Sequence, residues 1–197
     1  IAKAIKREIT SGGNIYGLEW GDPEVFEPLR YVRDRYVLPY VKPGETAVEI
    51  GPGGGRWTRY LLACGKLYVI DYHSELLGEC KRRFGKRHVE FITNNGNDFP
   101  GVPDNSVDFL FSFDVFVHLD AEIIEEYLKN MKRVLKPASN AVIHYSDQGK
   151  VMARINPGFS QNTPEKMRAM LQNAGYRILE EDLTTMWHSG IVRFTPM

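Results

Sequence analysis

Residues 46–62 read Thr46-Ala47-Val48-Glu49-Ile50-Gly51-Pro52-Gly53-Gly54-Gly55-Arg56-Trp57-Thr58-Arg59-Tyr60-Leu61-Leu62. An apolar run holding one acid, Glu49, meets a glycine-rich turn, and a helix is expected over 56–63. Strand, glycine turn and helix start together open a βαβ unit. Glycine suits such a turn because a Cβ would block both the sharp bend and the close approach of a bound molecule. The free N–H groups at the start of the helix would favour an anionic or carboxylate-bearing part of a ligand.

Glycine spacing separates the ligands such a turn can serve. The dinucleotide pattern GxGxxG, begun at Gly51, requires glycine at 51, 53 and 56, and position 56 is Arg. An arginine there would obstruct the close helix–strand packing that the third glycine permits. The pattern present is Glu49-x-Gly51-x-Gly53-x-Gly55, followed by Arg56-Trp57-Thr58. It resembles the first motif of the class I S-adenosylmethionine-dependent methyltransferases. Three later segments fit that family in order. They are the strand 67–71 ending in Asp71, the turn Pro103-Asp104-Asn105-Ser106-Val107-Asp108 before the apolar run 109–113, and Lys136-Pro137 after an amphipathic helix. The family's usual glycines after Lys-Pro are replaced here by Ala138-Ser139.

The resemblance covers residues 44–147 and implies an α/β fold: a doubly wound, mostly parallel seven-stranded sheet with helices on both faces and a C-terminal antiparallel hairpin. It implies S-adenosylmethionine as cofactor, with S-adenosylhomocysteine as product. The expected cofactor residues are Glu49, Gly51, Pro52, Gly53, Gly55, Asp71, Tyr72, Asn95, Gly96, Phe113 and Asp114. Asp71 lies about twenty residues beyond the first glycine, where a carboxylate can accept hydrogen bonds from both ribose hydroxyls of a nucleoside. Tyr72 is expected against the adenine. Asn95 takes the place of the family's usual acid at the adenine amine, with Asp98 as the alternative. The backbone at Phe113 and Asp114 is expected to face the methionine end.

Other groups at the C-terminal ends of the strands are candidates for the acceptor side, because open α/β sheets bind ligands there. His118 and His144 are the candidate bases, since imidazole takes up protons near neutrality; Asp147 is a further one. Tyr145 and Trp20 are candidate substrate contacts, and Tyr16 and Trp20 a candidate lid. The loop 150–161 lacks periodicity and is expected to lie over the site. Packing is the expected role of Trp187, and a place for His188 in the site is the lesser alternative. No His, Cys, Asp or Glu spacing points to a metal.

The remaining elements follow from local patterns. A short helix is expected over 1–9, ended by Ser11-Gly12-Gly13-Asn14. A helix capped by Asp22 and begun by Pro23 is expected to run to about residue 38, with Phe26, Leu29, Val32 and Tyr36 as its apolar stripe. Further elements are expected at 74–84, 89–92, 122–135 and 140–146, with Ile123, Tyr127, Leu128, Met131 and Leu135 as the buried side of the helix. A helix capped by Thr163 runs to 172 or 173 and stops at Gly175, and strands 176–183 and 191–194 form the hairpin.

The 197 residues suit one domain: 1–43 as a helical cover, 44–147 as cofactor-binding core, 148–197 as substrate loop, helix and hairpin. With 25 basic and 25 acidic residues the chain is formally neutral, which favours a small-molecule acceptor over nucleic acid. No apolar run approaches membrane-spanning length, and the opening IAKAIKREIT is not followed by the apolar block of a signal peptide. Cys64 and Cys80 read as buried thiols of a cytoplasmic protein. The expected reaction is methyl transfer to an oxygen or nitrogen of a small molecule, the oligomeric state being open. Alternatives are a non-catalytic S-adenosylmethionine-binding or interaction domain, or a nicotinamide-dependent oxidoreductase. The latter lacks its Tyr-x-x-x-Lys pair, because Tyr68 and Tyr72 are followed four positions on by Tyr72 and Leu76.

Overall fold

The computed structural model describes residues 16–197. The expected helix 1–9 and its glycine break lie outside them. Seven strands form one sheet: β1 (Thr46–Ile50), β2 (Lys66–Asp71), β3 (Val89–Thr93), β4 (Val107–Ser112), β5 (Leu135–Ser146), β6 (Tyr176–Asp182) and β7 (Ser189–Pro196). Their order is β3-β2-β1-β4-β5-β7-β6. The pairs β1–β2, β2–β3 and β4–β5 are parallel, whereas β7 runs antiparallel to both β5 and β6. This is the α/β methyltransferase fold expected from the motif order. The chain forms two compact units, residues 1–93 and 94–197.

In the first unit, β1 and β2 are buried nearly throughout, as parallel strands covered on both faces must be. Their apolar residues run continuously instead of alternating, which is why both were legible. Helix α1 (Glu27–Val32) is shorter than expected. Asp22 and Pro23 do not start it: residues 22–26 form a turn in which Asp22 O accepts from Val25 N and Phe26 N. Beyond α1 the chain continues as a π-helical turn over Arg33–Val37 and a 3-10 turn over Leu38–Tyr40. The wider turn accompanies the burial of two adjacent side chains, Tyr36 and Val37, that regular α-helical spacing would splay apart. The helix expected over 56–63 is likewise reduced, to α2 (Thr58–Leu61), because residues 51–57 are taken up by turns. Helix α3 (Ser74–Phe84) stands as expected, with Lys81, Arg82 and Arg83 in its last turn, where cations complement the helix dipole. Arg82 and Arg83 both pair with the buried carboxylate of Glu79.

In the second unit, helix α4 (Ala121–Val134) buries Ile124, Tyr127, Leu128, Met131 and Val134. Each such apolar side chain contributes roughly 1.5–3 kcal/mol relative to exposure. Ile123, expected on that stripe, is 39% exposed, and its neighbour Ile124 takes the place. Strand β5 begins directly at Leu135, so the Lys136-Pro137 segment ends the helix by becoming strand. Lys136 Nζ donates to both carboxylate oxygens of Asp108 at 2.8 Å. The loop after β5 contains a short helix, α5 (Val151–Arg154), and helix α6 (Pro164–Asn173) follows with Thr163 Oγ1 accepting from Lys166 N. Among the described residues no helix is long and apolar enough to cross a membrane.

Candidate active site

The end of β1 leads into the glycine turn, where Gly51, Gly53 and Gly55 have φ of 71°, 55° and 96°. The glycines answer to different neighbours. A Cβ on Gly55 would lie 2.2 Å from Phe84 Cε2, so this glycine lets the turn pack on the end of α3. A Cβ on Gly53 would meet the Tyr16 ring at 3.2 Å, so residue 16 lies over the turn. Gly54 N also donates to Tyr16 O at 3.1 Å. Trp20, 55% exposed, stands edge-on to Tyr16 with ring centroids 5.2 Å apart.

Two buried carboxyls flank this turn. Glu49 Oε2 accepts from Thr58 Oγ1 at 2.5 Å, which ties β1 to the first residue of α2. Burial, opposed in part by that hydrogen bond and reinforced by the Asp71 charge, pushes the Glu49 carboxyl up to about 8. Asp71 ends β2, is 8% exposed, and its Oδ1 accepts from His73 N at 2.8 Å. Burial raises its pKa, and the backbone donation opposes the rise. A carboxylate short of donors beside a glycine turn with three left-handed residues fits a nucleoside bearing vicinal hydroxyls. The chemistry of the present residues therefore suits S-adenosylmethionine. Tyr72 is 62% exposed with its ring edge-on to His73, leaving one face accessible.

Arg56 was read as excluding a dinucleotide turn and as part of the family's motif, with no partner of its own. Its side chain instead turns to the preceding segment: it is 4% exposed, and Nη1 donates to Gly17 O at 2.9 Å and toward Gly21 O at 3.5 Å. The contact spans 39 positions, so no local pattern announced it.

In the second unit, residues 94–98 fold into a tight polar turn. Asn95 is exposed; its N–H donates to Asp98 Oδ1 and its Oδ1 accepts from Asn97 N. The neighbouring Asn94 is the buried one, with Nδ2 donating to Asp98 O and Tyr127 Oη. Gly96 has φ 106°.

His144 departs from expectation. As a fully buried strand residue it presents no edge to an acceptor. Nε2 is paired with Ser189 Oγ, and Nδ1 lies 3.1 Å from Asp114 Oδ1 and 3.2 Å from Asp114 N. The ring stacks on Phe113 at 4.0 Å. Asp114 itself takes φ 62° and keeps a part-exposed carboxylate. The same strand corrects Tyr145, whose ring points to the opposite face, is fully enclosed, and lies where a Cβ on Gly190 would reach Cζ at 2.7 Å. Its hydroxyl has no hydrogen-bond partner among the described residues. Asp147 is also buried, with Oδ1 accepting from Gly149 N.

His118 is exposed. Its Nδ1 lies 2.7 Å from Gly158 O and its ring stands edge-on to Phe159 at 5.5 Å. Phe159 in turn meets His188 at 5.0 Å, and His188 meets His144 at 5.6 Å. Burial, the His144 ring next, drives the His188 pKa down to about 4, so this imidazole is neutral at physiological pH. Its Nδ1 has no hydrogen-bond partner among the described residues. Trp187 was expected to pack and is 65% exposed. Lys150 Nζ, which sequence reasoning passed over, donates to the carbonyls of Leu183, Met186 and Ser189, fixing the loop that carries His188. The loop before α6 is stitched down by Ser160 N and Oγ donating to Val117 O, and by Asn162 Nδ2 donating to Leu119 O. Among the described residues no group of three His, Cys, Asp or Glu is placed to hold a metal.

The sheet order and the glycine turn together resemble the class I S-adenosylmethionine-dependent methyltransferases, and the fold is theirs. Residues 48–143 match the family model described as a methyltransferase domain. Solved structures share the fold. A SAM-dependent methyltransferase from Aquifex aeolicus is 22% identical with a TM-score of 0.68, over 100% of this chain and 99% of that one. The N-methyltransferase NodS from Bradyrhizobium japonicum WM9, in complex with S-adenosyl-L-homocysteine, is 17% identical with a TM-score of 0.74, over 98% and 97%. The magnesium protoporphyrin IX methyltransferase ChlM from Synechocystis PCC 6803, with bound SAH, is 16% identical with a TM-score of 0.68, over 100% and 94%.

Proposed function

We propose that this chain moves the methyl group of S-adenosylmethionine to an oxygen or nitrogen of a small-molecule acceptor by in-line displacement. The observation that carries the reading is the donor-poor, buried Asp71 carboxyl at the end of β2, beside the glycine turn. In this reading Asp71 accepts from the ribose hydroxyls, Tyr72 lies along the adenine, and Gly51, Pro52, Gly53 and Gly55 admit the methionine part. Glu49 shapes the turn through Thr58. The family resemblance assigns Asn95, Gly96, Phe113 and Asp114 to the same cofactor.

A sulfonium methyl needs little activation, so orientation of the acceptor supplies most of the rate. The ring group of His118, Phe159 and His188 is the proposed acceptor side. His118 is the imidazole open to an acceptor proton, while neutral His188 accepts a hydrogen bond. His144 Nδ1 accepts from Asp114 N and so holds the backbone at Asp114 in place. A small-molecule acceptor is supported by the neutral chain and by Glu79, which pairs two arginines of the one basic run. A cytoplasmic setting is supported by the buried thiols of Cys64 and Cys80, which form no disulfide. The division into a cofactor core at 44–147 and an acceptor segment at 148–197 belongs to the same proposal.

The test is transfer of label from methyl-labelled S-adenosylmethionine to a panel of small hydroxyl and amine compounds, with bulk tRNA and a protein mixture as comparison arms. Turnover confined to small molecules is expected. Label entering only tRNA or protein would overturn the acceptor class.

A further inference from the structure

We propose that Arg56 is a positioning residue that clasps residues 16–24 onto the glycine turn and thereby sets how long the cofactor stays bound. The inference rests on the S-adenosylmethionine reading above. Residues 16–24 have little apolar burial to hold them: none of the three residues of the 3-10 turn Leu18–Trp20 is buried, and Trp20 is more than half exposed. Polar contacts from the end of the glycine turn and from α2 do the holding. Arg56 donates to Gly17 O and Gly21 O from a buried position. Arg59 pairs with Asp22, and Tyr60 Oη donates to Glu24 Oε1 at 2.6 Å. Arg59 and Tyr60 lie on α2, and Arg56 lies in the turn just before it.

This arrangement acts on the turn itself. With Gly17 and Gly21 held, Tyr16 O receives Gly54 N and the Tyr16 ring lies over Gly53. Arg56 closes the loop from the other side, since it follows the glycines directly in sequence. A guanidinium can serve two carbonyls at once from one rigid plane, whereas an ammonium is a single compact donor. Removing the guanidinium frees residues 16–21, and with them the cover over Gly53. Cofactor release then no longer waits on that segment.

The experiment is stopped-flow dissociation of S-adenosylhomocysteine from the wild-type chain, Arg56→Lys and Arg56→Met. Each is also compared with its Trp20→Phe counterpart, to isolate the Trp20 emission. Arg56→Met is expected to release the ligand roughly 10- to 100-fold faster, as loss of charge-assisted hydrogen bonds implies. Trp20 emission should shift to that of a fully solvated indole, and Arg56→Lys should restore part of both. Should Arg56→Met fail to fold, the surface pair Asp22→Asn with Glu24→Gln loosens the same segment and should also speed release. Release at the wild-type rate in a folded Arg56→Met, or in the surface pair, would overturn the clasp and leave the cofactor reading standing. Absence of any binding to the wild type would overturn both.

Discussion

Glu49 and Asp71 are both carboxyls that folding withdraws from water, but only Glu49 is answered by a side-chain donor. The Glu49 carboxyl stands at about 8 against an ordinary 4.5. Between those values the folded chain keeps a proton that the unfolded chain has released. Stability therefore falls as pH rises from about 4.5 to about 8, with no further change from this group above that. His188, lowered to about 4, acts the other way, but only below its ordinary value of 6.5. From pH 6.5 to 8 His188 no longer contributes, and Glu49 lowers stability, with the raised Asp71 carboxyl acting in the same direction. Urea unfolding of the cofactor-free chain should show a falling midpoint across that interval, and Glu49→Gln should lessen that fall and be the more stable protein at pH 8. Equal slopes in both proteins would mean that Glu49 ionises normally. Asp71 was legible from its place at the end of an apolar run beyond a glycine turn. Arg56 was not, because its partners lie 35 and 39 positions away and only tertiary contact brings them together.

Among the secondary structures, the strands came closest to expectation, since continuous apolar runs bounded by turns leave few other readings. The helix after Asp22 did not. Its apolar stripe of Leu29, Val32 and Tyr36 is buried, but the backbone that presents it changes from α to π to 3-10 within 14 residues. A stripe records which side chains go inward, not the pitch that carries them there. Strand alternation separated His144 from Tyr145, and the pairing of β5 with β7 explains why both are enclosed. Tyr145 stands opposite Gly190, and its ring fills the space that a side chain there would occupy. Gly190→Ala should accordingly lower stability by about 1–3 kcal/mol through overpacking. Tyr145→Phe, which removes a buried hydroxyl without a partner, should be neutral or stabilising and leave methyl transfer intact. Thermal melts of the two variants decide the first point. A loss of turnover in a stable Tyr145→Phe would return Tyr145 to the acceptor site.

For the protein taken whole, the succession of motifs was enough to reach the sheet and the family it resembles. It did not reach the acceptor. NodS is an N-methyltransferase and ChlM a magnesium protoporphyrin IX methyltransferase, yet both align with nearly the full chain. In the proposed reading, acceptor choice falls to segments without periodicity, 156–162 and 183–189. Their form depends on side chains such as Lys150, Ser160 and Asn162 gripping distant carbonyls. Such contacts leave no trace in spacing or composition. The account of the molecule rests on S-adenosylmethionine being held at the glycine turn with Asp71 on its ribose. The direct test is calorimetric titration of the wild-type chain and Asp71→Ala with S-adenosylhomocysteine, with NADH as the comparison ligand. The wild type should bind the sulfur nucleoside and not NADH, and Asp71→Ala should bind it about 1.5–3 kcal/mol more weakly. Binding of NADH alone, or undiminished binding by a folded Asp71→Ala, would contradict it.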